Sequence, residues 1–216
     1  MKKIFENVFE ASNWICTKSM IPGFRVKNES TFKEKGIEYR VWDPNHSKLS
    51  AAIKKGLLDL PIKPGSNVLY LGAAQGVTPS FVSDIVGRKG FVYCVEFSKV
   101  AMQRLIPVCE KRENMAPILA DARKPEEYEE VGKVDVVFED VADRDQTRIM
   151  IENSRFLEDG GHALLALKSQ SIDSTVDPKK TYAKAKRELQ EKFELIQELD
   201  LNPFEKDHEF YHLKKI

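Results

Sequence analysis

From about residue 66 onward, short apolar runs alternate with segments in which apolar residues recur at helical spacing. Each run is continuous, as in the strands of a parallel sheet that is covered on both faces. The runs are four to eight residues long, which is the length of strands rather than of helices. Five strands are therefore predicted, at residues 67–71, 91–97, 116–120, 134–140 and 162–168.

The segments between these strands carry helix start and stop signals. A proline in the first turn and a closing glycine predict a helix over residues 78–87. Ser98 caps a second helix that extends to Arg112 and that Pro107 should kink. A third helix is predicted over residues 145–156. A fourth begins at Asp177-Pro178, and its apolar stripe consists of Tyr182, Ala185, Leu189 and Phe193.

The C-terminal pattern differs from the rest because two strand-like runs follow each other without a helix. FELIQELDL (193–201) and EFYHLKKI (209–216) are joined by a link too short for a crossover helix, so they must run antiparallel. The whole pattern predicts an α/β fold: a doubly wound, mostly parallel sheet with an antiparallel C-terminal hairpin.

The first fifty residues have another character. Two short β-like pieces, Phe24–Val26 and Ile37–Trp42, are separated by glycine, proline and asparagine. From Ser47, a plausible N-cap, apolar residues recur at helical spacing. We therefore expect a small β-rich N-terminal domain at residues 1–50 and the α/β domain at residues 51–216.

Composition and charge narrow the function classes. No apolar stretch approaches the roughly 18 residues of a membrane span, and the N-terminus lacks the apolar core of a signal peptide. The three cysteines, Cys16, Cys94 and Cys109, are widely spaced and fit a reducing cytoplasm, which is the expected location. Thirty-four basic residues face thirty-four acidic ones. A protein that holds nucleic acid unaided usually shows a basic excess, which this chain lacks.

The first predicted strand ends in a glycine loop, Gly72-Ala73-Ala74-Gln75-Gly76. Its GxxxG spacing is neither the GxGxxG of dinucleotide-binding proteins nor a P-loop. Glycines nevertheless let the backbone turn sharply and approach a ligand closely. Taken alone, the loop serves equally well as a simple turn.

Acidic residues at three further strand ends favour a ligand site. Glu96, Asp121 and Asp140 each lie at the carboxyl end of a predicted strand, and these ends meet at one edge of the sheet. Glu96 is at the distance from the glycine loop at which a carboxylate meets ribose hydroxyls. A nucleoside ligand is therefore expected, without need of a pyrophosphate. S-adenosylmethionine has that composition.

An ordered set of motifs resembles the fibrillarin family, and most closely its archaeal branch. The motifs are EYRVWDPNHSKLSAAI, VLYLGAAQGVTPSFVSDIVG, YCVEFS, PILADARKPEEY, VDVVFEDVA, LALKSQSID and PFEKDH. The resemblance covers nearly the whole chain. It implies a Rossmann-like class I methyltransferase sheet, S-adenosyl-L-methionine as cofactor, and methylation of ribose 2′-hydroxyls in rRNA or tRNA directed by box C/D guide RNA. It also implies two protein partners, a Nop-domain scaffold and a ribosomal-type protein that binds kink-turns.

The resemblance also implies site residues. The cofactor-binding set is Gly72, Ala73, Gly76, Val77, Thr78, Glu96, Phe97, Asp121, Ala122, Asp140, Val141, Ala142 and Asp143. Glu96 can accept hydrogen bonds from the ribose hydroxyls, and Phe97 can pack on the adenine face. Asp121 can accept a hydrogen bond from the adenine amino group. No metal ligand is expected.

The catalytic residues implied by the resemblance are Lys48, Asp140, Lys168 and His208. We hypothesise that Lys168 orients or deprotonates the 2′-hydroxyl while Asp140 positions Lys168. Lys48 and His208 would hold the ribose and the neighbouring phosphate. A carboxylate beside Lys168 stabilises its charge and opposes a role as base, which favours positioning and electrostatics.

Three other functions stay open from the sequence. One is a nicotinamide-dependent oxidoreductase, which would use the same sheet but prefers GxGxxG. Another is a ribonucleoprotein subunit without catalytic activity. The third is a standalone methyltransferase that acts on a protein.

Overall fold

The strands form two sheets, and the computed structural model describes all 216 residues. The N-terminal sheet is antiparallel, with the spatial order β1-β2-β3-β5-β4. Its strands are β1 (Lys2–Phe5), β2 (Val8–Ala11), β3 (Trp14–Lys18), β4 (Thr31–Glu34) and β5 (Ile37–Trp42).

The second sheet has seven strands in the order β11-β12-β10-β9-β6-β7-β8. They are β6 (Asn67–Leu71), β7 (Phe91–Glu96), β8 (Met115–Leu119), β9 (Val134–Glu139), β10 (Leu157–Lys168), β11 (Phe193–Asp200) and β12 (His208–Lys215). All neighbours from β8 to β10 are parallel, while β12 runs antiparallel to both β10 and β11. This confirms the predicted fold class.

Six helices accompany the sheets. They are α1 (Lys48–Lys54), α2 (Val77–Val86), α3 (Lys99–Lys111), α4 (Gln146–Asn153), α5 (Ser169–Ile172) and α6 (Pro178–Leu189). None of them is long and apolar enough to cross a membrane. Successive side chains of each strand point to opposite faces of the seven-stranded sheet and belong to two buried clusters, one on each face. Helices α1 to α3 cover one face, and α4 and α6 cover the other.

The N-terminal sheet differs from the prediction. Phe24–Val26 forms no strand, whereas the sequence did not reveal four strands, three within residues 2–18 and β4 at Thr31–Glu34. They are only four or five residues long, too short for a clear alternation of apolar and polar positions. Their turns place Asn7, Ser12 and Asn13 at positive φ, which asparagine tolerates and which suits tight hairpins.

Two local predictions near helices are also wrong. Phe193 begins β11 instead of completing the α6 stripe, although it packs in the same buried cluster as Leu189. Pro107 lies inside α3, which extends to Lys111, and the kink expected there stays a prediction. The fifth strand begins at Leu157, and its register with β9 shifts before His162, so the Glu158–Gly161 stretch lies within the strand.

A buried ionic cluster joins the N-terminal sheet to the α/β part of the chain. The Asp84 carboxylate on α2 accepts hydrogen bonds from Arg40 of β5 at 2.7 Å and from Arg112 at 2.8 Å. Thr17 and the main-chain N–H of Met20 donate to the same carboxylate at 2.8 and 3.0 Å. The side chains of Asp84 and both arginines are inaccessible to solvent. The N-terminal sheet is therefore linked to α2 through one buried carboxylate.

Candidate functional site

Glycine is required at two positions of the loop between β6 and α2. Gly72 and Gly76 have φ of +82° and +81°, in the left-handed region that favours glycine. A Cβ atom on Gly72 would lie 2.6 Å from the main-chain oxygen of Asp140, and one on Gly76 would lie 2.8 Å from Leu105. Glycine thus lets the loop lie directly against the end of β9 and against α3.

Glu96 at the end of β7 holds the same loop. Its carboxylate accepts the N–H of Ala74 at 2.8 Å through one oxygen and the N–H of Ser98 at 2.8 Å through the other. The residue is only 7% exposed. Each carboxylate oxygen has a second lone pair, so Glu96 can still accept hydrogen bonds from a ligand.

A cavity of about 190 Å³ lies between this loop and the ends of β7, β8 and β9. The predicted cofactor residues Gly72, Glu96, Phe97, Asp121, Ala122, Asp140, Val141, Ala142 and Asp143 all line it. The Phe97 ring is 74% exposed, which is unusual for a large apolar side chain and leaves one aromatic surface free beside the cavity.

Three of the other predicted loop residues line a second cavity of about 240 Å³. Ala73, Val77 and Thr78 line it together with Lys48, while Gly76 lines neither cavity. The two cavities share Gly72, Ala74 and Asp140. The glycine loop and the end of β9 therefore form the junction of a two-part site.

Arg123 is a site residue that the sequence did not indicate. Its guanidinium binds both oxygens of Asp121, at 3.0 Å through Nε and 2.6 Å through Nη2, and lies 3.7 Å from Asp143. Hydrogen bonds from Arg123 lower the pKa of Asp121, although some burial opposes them. The Asp121 carboxylate thus already has a partner, which the hypothesis of an adenine amino contact did not include.

The four candidate catalytic residues come from four separate elements. Strand pairing places His208, at the start of β12, opposite Lys168, at the end of β10. Asp140 directly follows β9, the next strand in the sheet, and Lys48 is the first residue of α1. Ser47 caps α1 by accepting the N–H of Ser50, which fixes where this helix begins.

The ion pair at this site is not the expected one. The Lys48 ammonium lies 3.2 Å from the Asp140 carboxylate, whereas Lys168 forms no ion pair. The hypothesis that Asp140 positions Lys168 by direct contact is therefore wrong for this structure. The first residue of α1, Lys48, lies at the end of β9, and no local sequence pattern indicates this contact.

Burial shapes the charge state of this pair. Burial raises the pKa of Asp140 to about 6, although Lys48 acts in the opposite direction. Burial also acts to lower the pKa of Lys48, but the Asp140 and Glu205 carboxylates outweigh it and raise that pKa. Near pH 7 the pair consists of a carboxylate and an ammonium. Protonation of Asp140 near pH 6 would break this ion pair.

His208 is buried and has a defined tautomer. Its Nδ1 lies 2.7 Å from the main-chain oxygen of Lys206, which can only accept, so Nδ1 carries the proton. Burial lowers the pKa of His208, against the opposing effect of this hydrogen bond. The ring is therefore neutral near pH 7, with a lone pair on Nε2. This histidine is the first residue of β12, whereas the predicted strand began one residue later, at Glu209.

Comparison with known proteins finds extensive similarity to one family. The family model described as fibrillarin matches residues 1–215. The fibrillarin-like rRNA/tRNA 2′-O-methyltransferase of Pyrococcus horikoshii is 50% identical over 208 residues, which cover 95% of this chain and 92% of that protein.

Two solved structures are similar throughout. Aeropyrum pernix fibrillarin, solved with natively bound S-adenosyl-L-methionine, is 42% identical with a TM-score of 0.87, and the match covers 95% of this chain and 92% of that one. A chain of a fibrillarin/Nop5p complex is 34% identical with a TM-score of 0.92, and each chain is covered completely.

Proposed function

Because the chain belongs to the fibrillarin family, we propose that it methylates ribose 2′-hydroxyls of rRNA and tRNA with S-adenosylmethionine, as the catalytic subunit of a box C/D ribonucleoprotein. One observation carries the proposal. A cavity lined by Gly72, Glu96 and Asp121 meets the Lys48–Asp140 ion pair at the carboxyl edge of the sheet. Such an edge is where doubly wound sheets bind their ligands.

The residues present suit the cofactor. Gly72 lets the loop approach Asp140 so closely that a Cβ atom would clash, and it therefore shapes the junction of the two cavities. The free lone pairs of Glu96 would accept the two ribose hydroxyls, and the exposed ring of Phe97 would stack on adenine. The second cavity, with Thr78 in its wall, would take the amino-acid tail.

Most of the catalytic task is alignment. S-adenosylmethionine supplies an electrophilic methyl group when bound. The protein must therefore align the ribose oxygen with this methyl group and keep water from taking the place of the ribose oxygen. Lys48 and Asp140 fix each other at the junction of the cavities. Their paired charges would orient the ribose without leaving an uncompensated charge near the reacting atoms.

Lys168 and His208 would act on the 2′-hydroxyl itself. Lys168 has no carboxylate partner, so its cation is available to stabilise the negative charge that develops on the ribose oxygen as its proton leaves. The neutral His208 ring offers Nε2 as an acceptor for that hydroxyl. The strand pairing between the two residues would present both groups to the same atom.

Binding of RNA would require partners. The chain carries equal numbers of acidic and basic residues, so it lacks the cationic excess with which proteins hold a phosphate backbone alone. A Nop-domain scaffold, a kink-turn-binding protein and the guide RNA would supply that affinity and choose the target nucleotide. The small domain at residues 1–50 would then act as a support for the α/β domain at residues 51–216.

Replacing Glu96 by alanine should weaken S-adenosylmethionine binding about 10- to 100-fold. A hydrogen bond to a charged group contributes about 1.5–3 kcal/mol, and the loss of the Ala74 contact also loosens the loop. Calorimetric titration measures the dissociation constant, with the exposed Glu130→Ala variant as control. Unchanged cofactor affinity in the Glu96 variant, or tighter binding of NAD than of S-adenosylmethionine by the unmodified chain, would contradict the proposed site.

A further inference from the structure

Gln146 is a fully buried amide that links the two halves of the site. It is the first residue of α4 and is inaccessible to solvent. Its Nε2 donates to the main-chain oxygen of Asp143 at 2.8 Å and to that of Lys168 at 3.2 Å. Its Oε1 accepts the N–H of Lys168 at 3.0 Å. One side chain thus satisfies both main-chain polar groups of Lys168.

These bonds occur where the sheet no longer supports the lysine on one side. The parallel pairing of β9 with β10 ends at Leu165, opposite Glu139, three residues before Lys168. Pairing with β12 continues on the other side as far as His208. The Gln146 amide therefore takes the place of a missing strand and pairs with Lys168 as a peptide group would.

We propose that Gln146 is a positioning residue that links the main chain of Lys168 to the wall of the cofactor cavity. Its third hydrogen bond reaches the carbonyl of Asp143, a residue in the cavity wall. The inference rests on the proposed function, because it assumes that Lys168 acts on the ribose hydroxyl. Gln146 lines neither cavity, and its effect passes through the main chain of Lys168.

The chemistry of the side chain makes the role specific. Positioning requires one acceptor and two donated hydrogen bonds in fixed directions, which glutamine supplies and alanine does not. An ionised glutamate keeps the acceptor but repels the carbonyl oxygens of Asp143 and Lys168. A protonated glutamate recovers one donor. Displacement of a catalytic group by about 1 Å can lower a rate 10²-fold.

The test compares Gln146→Ala with Asn114→Ala in reconstituted ribonucleoprotein. Asn114 is also a buried amide with three side-chain hydrogen bonds, to Ser83 and Gly87, but none of its partners lines either cavity of the site. We expect the Gln146 variant to lose about 10- to 100-fold in single-turnover methyl transfer at saturating cofactor. Cofactor affinity should change less than threefold. The Asn114 variant should lose a similar amount of thermal stability and keep its rate within about threefold.

A double-mutant cycle with Lys168→Ala separates positioning from general damage to the fold. If Gln146 acts through Lys168, Gln146→Ala should lower the rate no further once the lysine is absent. The rate of Gln146→Glu relative to the unmodified chain should rise as the pH falls, because protonation restores a donor.

Two results would overturn the inference: equal rates for the Gln146 and Asn114 variants, or rate losses that add fully in the double variant. If Lys168→Ala itself kept its rate, the proposed function of the lysine would fail instead. The cycle therefore distinguishes the two failures.

Discussion

Replacing Lys168 by alanine is expected to lower the single-turnover rate of methyl transfer by about 10²- to 10³-fold, the range found when one group that stabilises developing negative charge is removed. Lys168 ends β10 beside His208 and has no carboxylate partner, so its charge is available to the reacting ribose oxygen. Cofactor affinity should change little because Lys168 lines neither of the two cavities. The rate is measured in the reconstituted particle at saturating S-adenosylmethionine and guide RNA.

The exposed Lys89→Ala variant is the matched control, since it removes the same charge near the amino end of β7, at the edge of the sheet opposite to the site. Its rate should stay within about twofold of the unmodified chain, because surface substitutions away from a site have small effects. A Lys168→Ala particle with near-normal turnover would show that the lysine does not act on the hydroxyl.

Replacing Asp84 by alanine should lower the free energy of unfolding by about 3–5 kcal/mol, the usual cost of removing one partner from a buried ion pair. Two fully buried arginines, Arg40 and Arg112, would lose their shared carboxylate. Arg40 keeps Glu29 at 2.7 Å, but two nitrogens of Arg112 already lack any partner. Urea or guanidinium denaturation monitored by circular dichroism measures the change.

Asp59→Ala provides the comparison, because its ion pair with Lys63 is 3.7 Å long and more than half exposed. Such surface pairs contribute about 0–1 kcal/mol. If the Asp84 variant were no less stable than the Asp59 variant, the buried cluster would not join the N-terminal sheet to α2 as described.

The order of the α/β elements could be predicted because each buried strand has a local sequence pattern that identifies it. A run such as NVLYL is apolar throughout, and the glycine loop after it marks the strand end. The strand ends then place Glu96 and Asp140 on one edge without further information. Fold class and much of the cofactor cavity therefore follow from patterns only a few residues long.

The contacts that complete the site are not local. Lys48, the first residue of α1, pairs with Asp140 at the end of β9, ninety-two positions later in the chain. Asp84 lies within an ordinary helical segment, and only the approach of Arg40 and Arg112 makes it a buried ionic centre. Gln146 at a helix start resembles any polar surface residue until Lys168 pairs with it. Such pairs depend on packing between distant segments, which sequence periodicity does not encode.

The most direct test reconstitutes this chain with a Nop-domain scaffold, a kink-turn-binding protein, a box C/D guide RNA and a matched target RNA. The proposal predicts one 2′-O-methyl group on the target nucleotide that the guide selects, and none when the guide, the scaffold or S-adenosylmethionine is left out. A particle that binds the cofactor and assembles but transfers no methyl group, or that methylates a base or a protein, would contradict it.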